Sequence, residues 1–229
     1  MIGAMVETTQ RREWEERQQV LIAELQHRTR NLMGVVRSIA DKTVRASADL
    51  ADFRSRYRDR LDALARVQGL LSRLNEHDRV TFDELIQTEL AAMDGGISRA
   101  TLDGPSGIRL RSSTVQTLAM ALHELATNAV KYGALGQPQG QLVVSWAFER
   151  SSVDNKPWLH IDWRESGVKM PTPGVRTAGT GQGRELIERA LPYQLNAKTT
   201  YTLGPDGVHC TIAMPVSETA MEVEENASA

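Results

Sequence analysis

The sequence holds a single cysteine, Cys210, so no intramolecular disulfide framework braces it. Cys210 lies in an alternating apolar and polar stretch and reads as a small core residue rather than a nucleophile. No cysteine and histidine cluster has the spacing of a zinc site. No apolar run approaches the ~20 residues that span a bilayer, and no signal peptide opens the chain. The expectation is a cytoplasmic protein with no membrane segment. Charge of one sign is also lacking: 27 Lys and Arg stand against 29 Asp and Glu. A net charge of −2 gives no reason to expect nucleic acid or an acidic membrane as partner. Internal repeats are absent. What is present is 41% hydrophobic and 24% charged residues, the proportions of a soluble globular protein. The length suits one sizeable domain plus a second element, or two small domains.

Residues 1 to 9 read as a frayed start. From about Gln10 to Ala46 proline is missing and glycine occurs once, at Gly34. Leu21, Leu25, Leu32, Val35 and Ile39 form a seam of coiled-coil type, interrupted by Arg28. A second helical pattern runs from about Leu50 to Asn75. Its seam is Phe53, Tyr57, Leu61, Leu64, Leu71 and Leu74, interrupted by Gln68. Two long amphipathic helices joined by a short linker make a hairpin. Such a hairpin has a narrow core, so pairing of two copies into a four-helix bundle is the economical way to cover both seams.

The stretch 77–82, HDRVTF, breaks the pattern, and the expected boundary falls between 79 and 80. Phe82 to Met93 reads as a short helix. Ala100 to Leu110 reads as two strands around a Gly-Pro turn. A helix over the stretch Leu122 to Leu135 follows, with Leu118 on its apolar face. Gln141 to Glu149 and Trp158 to Glu165 alternate as half-buried antiparallel strands do. Residues 166–180 form a loop, Gly183 to Leu191 a helix, and Asn196 to Tyr201 and His209 to Met214 the last strands. Residues 217–229 are acidic and poor in large apolar groups, and are expected to be disordered. The fold class is therefore α+β: a long two-helix hairpin over 20–79, then an α/β two-layer sandwich over 80–216.

Leu122 to Leu135, LHELATNAVKYGAL, carries the densest chemistry. Leu118, Leu122, Leu125, Ala126 and Ala129 share a core-facing side. His123, Glu124, Asn128, Lys131 and Tyr132 lie off it. Glu124, Asn128 and Lys131 fall at i, i+4 and i+7 and line up. A carboxylate, a carboxamide and an ammonium in one row suit a hydrated divalent cation held against phosphate oxygens. A solvated polar face is the equal alternative on spacing alone.

Three further stretches bear on function. His27, in ELQHRTRN, lies off the hairpin seam, beside Asn31. An exposed imidazole can accept a phosphoryl group, although most such histidines are ordinary surface residues. Gly179-Thr-Gly-Gln-Gly183 precedes the helix GRELIERAL, where backbone N–H groups could approach phosphate. A flexible connector is the alternative. Trp163-Arg-Glu-Ser-Gly167 ends a strand. Glu165 could accept a hydrogen bond from an exocyclic amine such as that of adenine, or be a surface carboxylate at a turn. Trp163 reads as a core aromatic.

Taken together these stretches resemble the HWE family of bacterial sensor histidine kinases. ELQHRTRN is similar to that family's phosphoacceptor box, and His123 to Gly133 to its Asn box, with the histidine that names the family. Trp163-Arg-Glu165 is similar to its Trp-x-Glu motif, and Gly181-Gln-Gly183-Arg-Glu-Leu-Ile to its second glycine box. The resemblance covers nearly all of residues 20–216. Four motifs in order are specific where any one would not be. The chain departs at Val168-Lys169, where Gly-Pro is frequent, and at Arg28, where other histidine kinase families place a carboxylate.

The resemblance implies a dimerisation and phosphotransfer hairpin and a Bergerat-type ATP-binding domain, with ATP and Mg²⁺ as cofactors. It implies His27 as phosphoacceptor and Glu124 as base, or as metal ligand through water. Asn128 would hold Mg²⁺. Lys131, Tyr132, Glu165, Gly167, Gly181, Gly183 and Arg184 would bind nucleotide, and His123, Trp163 and Glu165 are the signature. The implied partners are a response-regulator receiver domain, a second copy of the chain, and an upstream sensor. Val6 to Glu16, VETTQRREWEE, resembles the exit from a PAS sensor into a signalling helix, which places residues 1–19 at the end of such a domain. Two rivals differ in testable ways. A gyrase-type ATPase would hydrolyse ATP without using His27, and a scaffold with a decayed pocket would not bind ATP with Mg²⁺.

Overall fold

The computed structural model describes residues 18, 22, 26, 29–30, 32–72, 79–93, 96–151, 155–169 and 180–220. His27, Arg28, Asn31, Leu21, Leu25 and Leu74 lie outside the described residues, as do 1–17 and 170–179. The chain divides into two compact units, Met1–Tyr57 and Arg58–Ala229. The division falls inside a helix.

In the first unit, helix α1 covers 32–46. Ile39 is its buried seam residue, and Thr43 is fully buried with its hydroxyl donating to Ile39 O at 2.6 Å. Helix α2 spans Leu50–Ser72 and crosses into the second unit. Asp49 starts it, accepting from Asp52 N at 2.8 Å through Oδ1. That side-chain oxygen satisfies one of the N–H groups a helix start leaves unpaired. Phe53 and Tyr57 stack at 5.3 Å between ring centroids.

The second unit is a sheet with helices packed on it. Helix α3 spans Phe82–Ala91 behind a capping box: Thr81 accepts from Glu84 N, and Glu84 Oε2 accepts from Thr81 N at 2.9 Å. Phe82, Leu85, Ile86, Glu89 and Leu90 are buried, the spacing of one helix face. Strand β1 is Ala100–Asp103 and helix α4 is Ser112–Lys131. Strands β2, Gln141–Arg150, and β3, Pro157–Ser166, are antiparallel. Helix α5, Thr180–Glu185, runs through a π turn at Leu186–Ala190 into α6, Leu191–Leu195. The π turn sits before Pro192, which has no N–H to continue the ordinary ladder. Asn196, with φ 53°, ends the helix. Strands β4, Lys198–Leu203, and β5, Val208–Pro215, complete the sheet. Among the described residues the order is β1-β2-β3-β5-β4, with β1 parallel to β2 and the rest antiparallel.

Alternation along the strands selects the core. Leu142, Val144, Leu159, Ile161, Trp163, Cys210, Ile212 and Met214 point inward against Leu118, Leu122, Leu125 and Ala129 of α4. Phe82 meets Trp146 edge-on at 5.2 Å. Two local expectations are corrected. The second half of Ala100 to Leu110 is not a partner strand of β1. Its backbone bonds run to the entry of α3 instead, Phe82 N to Ile108 O at 2.9 Å and Leu110 N to Val80 O at 2.8 Å. Residues 217–220, expected in the disordered tail, form a turn with Ala220 fully buried and its carbonyl accepting from Arg109 N at 2.7 Å. Among the described residues no helix is long and apolar enough to cross a membrane.

Candidate functional site

Helix α4 delivers the site. Its apolar face is fixed against the sheet, so the opposite groups have set directions. Glu124 and Asn128 are half-buried, one turn apart, and face α5. The contact that shows this is Gly183. A Cβ added there would lie 3.1 Å from Asn128 Nδ2 and 3.2 Å from Glu124 Oε2. The glycine run and the Asn-bearing helix, 55 residues apart in Gly183 and Asn128 (183 − 128), are therefore in direct apposition. Gly181 lies in the first turn of α5. Among the described residues no group of three His, Cys, Asp or Glu side chains could hold a metal by itself. Two oxygen-bearing side chains suit a hydrated Mg²⁺, which keeps most of its water.

The exit of α4 is locked to the end of β3. Glu165 is buried at 5% exposure, and its Oε2 accepts from Ala134 N at 2.8 Å. Its Oε1 accepts from the indole N–H of fully buried Trp163 at 3.1 Å. Burial pushes the Glu165 carboxyl above its ordinary 4.5, against the opposing pull of those two donors. Glu165 is thus no surface carboxylate at a turn. Gly167, with φ 69°, follows in a conformation that favours glycine. Its N–H donates to Asp206 Oδ1 at 3.0 Å, and Lys169 N donates to Gln137 Oε1 at 2.9 Å. Arg99 donates to the carbonyls of Ala134, Leu135 and Gln137 and so holds the turn after α4.

His123 departs from its expected place off the core, and Arg184 and Tyr132 lie nearer the surface. His123 is buried at 4% exposure, away from the polar row. Its Nδ1 lies 3.2 Å from Arg66 and 3.4 Å from the fully buried Glu89. Arg66 also bonds Glu89 at 3.0 Å, so α2, α3 and α4 meet at one polar knot. Arg184 donates to Glu188 at 2.8 Å and lies over the Tyr201 ring at 5.7 Å. Tyr132 is 42% exposed.

Sequence reasoning missed the groups opposite the polar row. Arg60 Nε donates to Glu124 Oε1 at 2.6 Å, and Lys131 Nζ lies 3.5 Å from Asp59 Oδ2. The Asp59-Arg60 pair sits on the second hairpin pattern with nothing local to mark it. Arg99, Gln137, Asp206, Arg66 and Glu89 were likewise silent, because each acts across a gap of many residues.

The family model for HWE histidine kinase matches residues 24–106. That stretch of the chain is similar to the HWE histidine kinase family. A blue-light-activated histidine kinase of Brucella anthropi is 31% identical over 95% of this chain and 43% of its own length. Its namesake in Brucella ovis is 30% identical over 95% of this chain and 43% of its own. The chain spans less than half the length of these curated relatives. Among solved structures, the Erythrobacter litoralis blue-light activated histidine kinase matches with a TM-score of 0.51 at 17% identity, over 86% of this chain and 63% of that one. That likeness speaks to the fold. It bears out helices followed by a mixed sheet of the Bergerat type expected from the family's motifs.

Proposed function

We propose that the chain is the transmitter of a sensor histidine kinase that phosphorylates His27 from ATP and passes the phosphoryl group to a response-regulator aspartate. The observation that carries this reading is Gly183 packed on Glu124 and Asn128, which unites the glycine run with the Asn box. In the reaction an imidazole nitrogen of His27 forms a bond to the γ-phosphorus, and the bond to the bridging oxygen of ADP breaks. The imidazole proton passes to a base, for which Glu124 is the candidate. Such transfer needs in-line placement and charge neutralisation more than covalent help. Mg²⁺ held by Asn128, and by Glu124 through water, would supply neutralisation of phosphate charge. Lys131 and the N–H groups around Gly181 and Gly183 add to it. Glu165, anchored beneath the site, would meet the adenine amine, with Gly167 giving room for the base and Tyr132 and Arg184 at the margins.

We place residues 1–19 at the end of a PAS-type sensor, 20–79 in the dimerisation and phosphotransfer hairpin, and 80–216 in the ATP-binding domain. The working form is a cytoplasmic homodimer. The test is incubation of the chain and its His27→Ala variant with radiolabelled ATP and Mg²⁺. Acid-labile, base-stable label that disappears in the variant is expected. Equal label in both proteins moves the acceptor away from His27. Asn128→Ala should lose label and nucleotide binding together.

A further inference from the structure

Two adjacent residues of α2 hold two groups of the proposed nucleotide site. Arg60 reaches Glu124 at 2.6 Å, with the two side chains 10% and 14% exposed. Asp59 reaches Lys131 at 3.5 Å, a more open pair at 40% and 43%. Residues 58–72 of α2 run antiparallel to α4: Asp59 meets Lys131, and Arg66, seven residues later, meets His123, eight residues earlier. The charges are matched in order, acid then base on α2 against base and acid on α4.

We infer that this part of α2 is an ionic clamp that competes with metal-bound nucleotide for Glu124 and Lys131 and holds the site closed until α2 moves. The inference rests on reading Glu124, Asn128 and Lys131 as the nucleotide site. Its physical basis is local. A guanidinium bonded to Glu124 puts a full positive charge where a hydrated divalent cation would be drawn, and the two cations repel. The pair is shielded from water, so salt and solvent weaken it little. Lys131 shares its charge with Asp59 and offers less to a phosphate. Opening the clamp therefore costs interactions that nucleotide must replace, and apparent affinity falls by the fraction of molecules that are open. Helix α2 is continuous across Tyr57 and Arg58. A shift or rotation of its N-terminal part would carry Asp59 and Arg60 with it, which gives an upstream signal a route to the site.

The experiment titrates trinitrophenyl-ATP with Mg²⁺ into the wild-type chain and its Arg60→Ala, Arg60→Lys and Asp59→Ala variants. With the clamp closed in about nine molecules in ten, Arg60→Ala binds roughly tenfold more tightly. Asp59→Ala gains less, because its pair is more exposed. Arg60→Lys keeps the charge and stays near wild type. Hydrogen exchange on the unmutated chain is the second measurement: saturating nucleotide should speed exchange over residues 58–72. Equal or weaker binding by a folded Arg60→Ala overturns the clamp and leaves the nucleotide site standing. Should Arg60→Ala not fold, unchanged exchange in the wild-type chain overturns it. Absence of binding in every protein, the released variants included, overturns the clamp and the nucleotide site together.

Discussion

Gly133 is the position where one methyl group should cost most. It follows α4 and lies under Glu165. A Cβ there would overlap Glu165 Oε2 and stand 2.9 Å from Ala129 Cα. Its φ of −113° is open to alanine, so the penalty of Gly133→Ala is steric alone. Moving the carboxylate breaks its 2.8 Å bond from Ala134 N. A buried hydrogen bond to a charged group is worth ~1.5–3 kcal/mol. Forcing a methyl into packed surroundings adds ~1–3 kcal/mol. The sum of about 2.5–6 kcal/mol, at ~2–4 °C per kcal/mol for a domain of this size, lowers the melting temperature by roughly 5–24 °C. Gly69→Ala is the control. It lies inside α2 with nothing within 4 Å of its Cβ position, so alanine should stabilise by ~0.5–1 kcal/mol. Thermal unfolding followed by circular dichroism reads both. A Gly133→Ala protein melting within about 2 °C of wild type would refute the reasoning. Adding Glu165→Ala removes the clash, so the double variant should lose less than the sum of the two single changes.

Two other outcomes follow from buried titrating groups. The Glu165 carboxyl is pushed above 4.5 by burial, so the folded chain binds its proton more tightly than the unfolded one. The resulting stability is fully present below pH 4.5 and is lost as pH rises through the higher folded value. Glu165→Gln should flatten the stability curve as pH rises from 4.5, and a curve parallel to wild type would contradict the buried ionisation. The Cys210 thiol is fully buried and pushed up to about 12, mainly by burial, with Asp162 and Glu188 adding to it. It should not react with a chromogenic disulfide at neutral pH until the chain is denatured, because the thiolate is the reactive form. Stoichiometric labelling of the folded protein would show the core open at β5.

Much of the second unit was legible because periodicity is local. The apolar side of α4, from Leu118 to Ala129, and the alternation of β2, β3 and β5 follow from residues a few positions apart. The Asn box, the glycine run and the Trp163–Glu165 segment were recognisable for the same reason, as short strings with fixed spacing. Periodicity tells which face is apolar; it does not tell what covers the other. Hence His123 was read as lying off the core, although Arg66 and Glu89, from two other helices, enclose it. The segment ending at Leu110 looked like a partner of β1, and the entry of α3 took it instead. Sequence left open that Glu165 is a surface carboxylate at a turn, and only the packed turn at Gly133 and Ala134 made it a buried anchor. The contact between Arg60 and Glu124 joins residues 64 apart. Sequence alone determined the chemistry each element carries, since that depends on side chains and their local spacing. Tertiary structure alone decided which of those groups meet, since charge pairing and burial act across gaps in the chain that no local pattern records.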